Sequence, residues 1–420
     1  MNRWLFVPIM LFVGLVTATP VLHSQARETT VVAARAVTTS SQPPARPLPT
    51  SERTVSSNPF GLPAALPAPD RSWRHAAPTV VSVPLTAKAA IAVDLTHEAL
   101  LYAEHPDVPL PPASTSKIVT ALVAVRVLRL NDVVEVELND LVDASVYAAM
   151  GLLPGDQVSV EGLLTGLLVA SAGDAANALA RVAGQRLGAS TDAAARQRFV
   201  AEMNRLAREL GMRRSRFVVA DGRDMPGQVV TARDLAIATQ ALFRVPELER
   251  IVAMPAATVR VEGPNTREIR LLNTNQILGL PGVHGVKTGT TAAAGQCLVA
   301  AVWRGDARVI TVVLGSRDRY ADTAALLAWL DQHYRWVRVG SMGGDESLQH
   351  VLRAHGLTLA TTKTLLLSAE EAATLEVRVE LEASHNGRVL ERRGAVVLLV
   401  RGQEVLRLPL YVARRFAPAS

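Results

Sequence analysis

The chain has 420 residues, of which 49% are hydrophobic, 20% charged and 4% aromatic. This balance excludes a wholly disordered or fibrous protein, and the presence of only one long apolar run excludes a multi-span membrane protein. The net charge of +6 arises from 44 basic and 38 acidic residues in mixed order, which describes an arginine-rich surface rather than a nucleic-acid platform.

Along the chain, Arg3 supplies a short basic region, Leu5 to Leu22 is almost wholly apolar, and Ser24-Gln25-Ala26 has the small-x-small form of a cleavage site. Residues 1–26 read as a secretory signal peptide or, in a second reading, an uncleaved anchor, and both place the body of the protein outside the cytoplasm. Ten of the 24 prolines fall between Pro43 and Pro84, so residues 27–84 read as a Pro/Ser/Thr/Ala-rich linker.

Ala89 to Leu95 and Ala99 to Glu104 suggest a strand hairpin. After Ser114 the period becomes helical, with Ile118, Ala121, Leu122, Val125 and Leu128 on one face. Further helices are expected at Gly162 to Val169, at Asp174 to Leu187 with Asp174 as cap, at Phe199 to Leu210, and from Thr231 to about Phe243. Strands return at Val286 to Thr290, Gln296 to Trp303 and Val309 to Leu314, followed by a helix at Ala321 to Val337. Strands at both ends with helices between imply an α+β domain over 85–340, an antiparallel sheet carrying a helical subdomain. Residues 341–420 alternate as strands at Thr374 to Glu382, Gly394 to Val400 and Val405 to Tyr411, which indicates a separate small β domain. The single cysteine, Cys297, permits no intrachain disulfide and reads as a core residue.

Only four of the basic residues are lysines: Lys88, Lys117, Lys287 and Lys363. Lysine can lose its proton when desolvated and arginine cannot, so a chain that uses arginine for ordinary charge draws attention to its lysines. Ser114 and Lys117, three apart in Pro112-Ala113-Ser114-Thr115-Ser116-Lys117, share one face of a first helical turn, where a neutral amine could take the proton of the hydroxyl. Lys287-Thr288-Gly289-Thr290 places a cation and hydroxyls on a strand that glycine lets a ligand approach, a pattern suited to holding a carboxylate. Ser171-Ala172-Gly173-Asp174 lies between two helices, with Ser171 a candidate proton relay.

The order of these three pieces resembles that of the serine penicillin-binding enzymes. With PPASTSKIVTAL (Pro111 to Leu122), LVASAGDAANAL (Leu168 to Leu179), Asn204 to Arg214, TARDL (Thr231 to Leu235), Asn273-Thr274-Asn275 and Gly285 to Gly289, the chain is similar to the D-alanyl-D-alanine carboxypeptidases over about Lys88 to Val337. The resemblance implies the β-lactamase/penicillin-binding-protein-like transpeptidase fold, followed by a small all-β domain. It implies Ser114 as nucleophile, Lys117 as its base and Ser171 as proton shuttle. Lys287, Thr288 and Gly289 would bind the terminal carboxylate of a peptidoglycan stem ending in D-Ala-D-Ala, and the N–H groups of Ser114 and Thr290 would form an oxyanion hole. Such a donor is worth about 3–4 kcal/mol. β-Lactams would acylate Ser114, no metal or cofactor would be needed, and the N-terminal segment would be the route to any membrane association. The family carries Asn where this chain has Gly173, so a weakly active or non-catalytic cell-wall scaffold is the alternative. A β-lactamase reading fits less well, because Glu262 and Asn265 are three apart in a Gly-Pro turn.

Overall fold

The computed structural model describes residues 73–75, 83–340, 346–382 and 392–413. The expected signal segment, 1–26, and most of the expected linker lie outside the described residues. Within that linker, however, Trp73 is buried and β1 (Arg74–His75) pairs in parallel with Ala99 and Leu100, so an aromatic anchor fixes the approach to the folded body.

The chain then forms the hairpin β2 (Ala89–Asp94) and β3 (Ala99–Glu104). A 3-10 turn, Ala113–Ser116, leads into α1 (Lys117–Val127). All of α1 except Arg126 is buried, so the one-face expectation gives way to a helix enclosed on every side. Two short strands, β4 (Val133–Glu135) and β5 (Gln157–Ser159), pair before α2 (Val160–Val169), which Ser159 caps. Leu163, Leu164, Leu167 and Leu168 of α2 are fully buried, each contributing about 1.5–3 kcal/mol of transfer free energy. α3 (Gly173–Arg186) packs on α4 (Asp192–Glu209), whose Thr191 cap accepts the N–H of Ala194. α4 thus starts seven residues before the expected Phe199, because a polar run with a capping threonine precedes its apolar stripe. α5 (Ala232–Leu242) is capped by Thr231, and α6 (Pro246–Val252) starts at a proline.

An outlying hairpin, β6 (Ala256–Val261) with β7 (Arg267–Leu272), precedes the three long strands β8 (Val283–Thr291), β9 (Gly295–Arg304) and β10 (Ala307–Ser316). The main sheet has the order β1-β3-β2-β10-β9-β8, so the first and last pieces of the domain meet, Ile91 opposite Val312. All its pairings are antiparallel except the short β1–β3 contact. α7 (Arg319–His333) starts on Asp318, which accepts the N–H groups of Tyr320 and Ala321.

The expected helix at Ala321 to Val337 ends early. Tyr334-Arg335-Trp336-Val337-Arg338-Val339 alternates with period two and forms β11 (Tyr334–Val339). After α8 (Glu346–Ala354) and β12 (Leu357–Leu359), strand β13 (Lys363–Ser368) pairs with β11, so the expected boundary at 340 falls between two paired strands. α9 (Ala369–Ala373), β14 (Leu375–Leu381), β15 (Arg392–Val400) and β16 (Gln403–Val412) complete a second sheet ordered β12-β16-β15-β14. The two parts meet at the β2–β3 turn. Asp94 is buried and accepts from Trp336 Nε1 at 2.8 Å, while His97 lies 2.8 Å from Asp94 Oδ2 and 2.8 Å from the Thr364 carbonyl. Among the described residues, no helix is long and apolar enough to cross a membrane.

Candidate active site

The candidate site lies where the Ala113–Ser116 turn, the segment around Asp221 and strand β8 converge. Ser114 is half-buried on its turn, which is locked by Thr115 Oγ1 donating to the Pro112 carbonyl at 2.6 Å and Ser116 Oγ to the Ala113 carbonyl at 3.1 Å. Lys117 begins α1 and is 2% exposed. Its Nζ stands 2.9 Å from Ser114 Oγ and also donates to the Asp221 main-chain carbonyl. Burial lowers the Lys117 amine to a pKa of about 8; Asp221 and Asp174 oppose the shift and Arg223 reinforces it.

Strand β8 passes Ser114 closely. A Cβ on Gly289 would stand 2.8 Å from the Ser114 nitrogen and 2.9 Å from Ala113 Cβ, so this approach is open to glycine alone. Lys287 is 1% exposed, and its Nζ donates to the Thr288 carbonyl at 2.9 Å. Burial first, and then the charges of Lys117 and Arg319, hold the Lys287 amine well below the usual lysine range. The hydroxyls of Thr288 and Thr274 are 2.6 Å apart.

Arg319, the first residue of α7, escaped the sequence reading. Its guanidinium donates to the Gly289 carbonyl at 2.9 Å, to the Cys297 carbonyl at 3.1 Å and to Thr290 Oγ1. Its position after a strand–turn–helix junction holds no local signal, because the contact spans thirty residues of sequence. Asp221 and Arg223 also escaped it, since Asp221 meets Lys117 through its main-chain carbonyl and Arg223 enters by pairing with Asp221. The cleft therefore gathers the buried amines of Lys117 and Lys287 with the Arg319 guanidinium, while Arg223 is paired with Asp221. Among the described residues, no cluster of His, Cys, Asp and Glu has the make-up of a metal site.

Ser171 lies in the α2–α3 turn with φ +62°, a left-handed conformation that serine rarely adopts, and it is buried. Its hydroxyl makes no direct hydrogen bond to Ser114 or Lys117 among the described residues. Asp174 is not simply the cap expected of it. Although it also meets its own neighbour Ala175, its carboxylate accepts the N–H groups of Met150 and Gly151 at 3.1 Å and Leu152 at 3.2 Å, fastening the loop before β5 to α3. At Gly173 the N–H donates to the Ala148 carbonyl at 2.7 Å, and a Cβ would meet Val142 Cγ1 at 3.2 Å and Ala148 O at 3.3 Å. The same loop thus covers the place where the family carries an amide. Asn177 does not stand in for it, because its Nδ2 donates to the Asp140 carbonyl. Cys297 is buried, and its thiol makes a long contact to the Ala294 carbonyl.

A family model described as D-alanyl-D-alanine carboxypeptidase matches residues 75–318, more than half of the chain. D-alanyl-D-alanine carboxypeptidase DacC of Escherichia coli (strain K12) is 36% identical over 269 residues, which cover 60% of this chain and 62% of the relative. DacF of Bacillus subtilis (strain 168) is 31% identical over 260 residues, covering 59% of this chain and 63% of the relative. The chain thus spans somewhat less than two thirds of the length of these curated relatives. Among solved structures, the Streptomyces K15 DD-transpeptidase superposes with a TM-score of 0.56 at 31% identity, covering 60% of this chain and 98% of that one. The family match falls on the segment that carries the Ser114, Ser171 and Lys287 motifs, and the K15 superposition gives it the penicillin-binding-protein-like fold: the chain belongs to the D-alanyl-D-alanine carboxypeptidase family.

Proposed function

We propose that the protein is a serine-type D-alanyl-D-alanine carboxypeptidase acting outside the cytoplasm on peptidoglycan stem peptides. The observation that carries the reading is the 2.9 Å contact between the buried Lys117 amine and Ser114 Oγ, with Gly289 of the Lys-Thr-Gly strand pressed against the same turn. A neutral Lys117 donates one N–H to the Asp221 carbonyl and keeps its lone pair for the Ser114 hydroxyl proton. Ser114 Oγ then attacks the carbonyl carbon of the penultimate D-alanine, and the oxyanion is received by the N–H groups of Ser114 and Thr290. Collapse of the tetrahedral species breaks the C–N bond. The proton held by Lys117 passes to the leaving amine, with Ser171 as relay, and D-alanine departs. Water enters, gives its proton back through Lys117, and releases the shortened peptide from Ser114.

Lys287, Thr288, Gly289 and Thr290 bind the terminal carboxylate, and Arg319 joins them. The Arg319 guanidinium of α7 with the Lys287 amine and the threonine hydroxyls of β8 form a receptor for a carboxylate, and they explain why the cleft selects a chain end. β-Lactams, which present a carboxylate and a strained amide in the same relation, acylate Ser114. Gly173 removes one amide from this set without removing nucleophile, base or carboxylate site.

The test is mass spectrometry of the protein after exposure to penicillin, together with D-alanine release from a stem pentapeptide. The expected result is one adduct on Ser114, lost in Ser114→Ala, with release of one D-alanine per peptide. An adduct that persists in Ser114→Ala would remove Ser114 from the role.

A further inference from the structure

Beside the base lies an ion pair that no motif includes. Asp221 is buried, and its main-chain carbonyl receives Lys117 Nζ. Its carboxylate acts on the same amine, and left alone it would hold a proton there. Arg223 occupies that carboxylate: its Nε donates to Oδ2 at 2.7 Å and its backbone N–H to Oδ1 at 3.2 Å. On its other side the Arg223 guanidinium lies 5.5 Å from the centre of the Tyr147 ring, in the loop that covers Gly173. The turn itself is fixed. Gly222 has φ +82°, and a Cβ there would stand 2.2 Å from the Ala113 carbonyl and 2.7 Å from Ser116 Oγ, so the pair abuts the nucleophile's own turn. Gln228 clamps the segment, accepting the N–H groups of Val218 and Val219 at 2.9 Å and donating to the Arg223 carbonyl at 2.9 Å.

We propose that Arg223 is a positioning residue of the site: by pairing with Asp221 it keeps that carboxylate from charging the Lys117 amine, and by bridging Asp221 to Tyr147 it holds the Asp221 carbonyl on Lys117 Nζ. The inference rests on the reading of Lys117 as the base of Ser114. The other charged group acting on Lys117 is Asp174 of α3, already engaged by four backbone N–H groups, and the Lys117 charge in turn lowers Lys287 of β8.

The experiment is the rate of covalent penicillin labelling from about pH 6 to pH 10 for wild type, Arg223→Ala, Arg223→Lys, Asp221→Asn and the double variant Asp221→Asn/Arg223→Ala. Arg223→Ala is expected to move the acid limb upward by about one pH unit, roughly a tenfold loss on that limb, with rates converging on wild type above it. Arg223→Lys, which keeps the cation, retains the wild-type limb. Asp221→Asn lowers the limb, and the double variant brings it back from the Arg223→Ala position. A merely structural arginine would lower the rate equally at every pH and would not be rescued by removing the carboxylate, and either result overturns the proposal. Should Arg223→Ala fail to fold, the limbs of Asp221→Asn and Arg223→Lys still decide. A wild-type chain that takes no label at Ser114 would instead overturn the reading of the base, and this inference with it.

Discussion

In the cleft, Lys117 and Lys287 are buried and neither forms an ion pair with a carboxylate among the described residues. In the sheet β12-β16-β15-β14, Arg378 and Arg407 lie open to solvent and bind Glu376, Glu380 and Glu404. An exposed pair of the second kind gains little, because water already solvates both partners. A buried unpaired cation of the first kind is costly unless it gives up its proton. The fold accepts that cost twice, within one cleft, and at both places it uses lysine, which can become neutral, rather than the arginine it uses elsewhere. The remaining two lysines, Lys88 and Lys363, are exposed. Burial thus separates the two lysines of the candidate site from the two on the surface.

The comparison can be broken most severely at Gly289. A methyl group there would overlap the Ser114 nitrogen at 2.8 Å and push β8 off the nucleophile's turn. Gly289→Ala is expected to slow penicillin labelling by about a hundredfold, the scale of an ångström-sized misplacement, while the thermal transition persists. Labelling at the wild-type rate would show that β8 need not touch that turn. A smaller effect is expected at Asp174, which supports the cleft from outside it. Asp174→Ala leaves the N–H groups of Met150 and Leu152, both buried, and of Gly151 without their acceptor, at a cost of about 2–3 kcal/mol in urea unfolding. The smallest effect belongs to the C-terminal sheet: Arg378→Ala should change stability by less than about 0.5 kcal/mol and leave labelling untouched. A loss comparable to that of Asp174→Ala would erase the distinction between the two regions.

The sequence exposed the parts of the site that are local or chemically unusual. Ser114 and Lys117 share one helical turn, the Lys-Thr-Gly strand carries its own signature, and the scarcity of lysine singles out two side chains that the fold buries. The meeting of β2 with β10 also followed from strands at both ends of the domain. What stayed hidden depends on contacts distant in sequence. Arg319 reaches Gly289 of β8 from α7, beyond β9 and β10, and Asp221 presents a backbone carbonyl, which no side-chain pattern records. Asp174 looked like a helix cap because its sequence neighbours fit one, but its partners come from a loop more than twenty residues earlier. Strand β11 was read as helix because no glycine or proline separates His333 from Tyr334, and its six-residue alternation becomes decisive only when β13 supplies a partner.

The most direct test of the account is the protonation of Lys117 itself. With four lysines in the chain, isotope labelling of lysine alone gives four side-chain signals whose titration can be followed by NMR and assigned by Lys117→Arg. The account predicts that the Lys117 signal titrates at about 8. A Lys117 signal that titrates at the ordinary lysine value of about 10.4 would contradict it, because the neutral amine that serves as base would then be more than about a hundredfold scarcer at neutral pH.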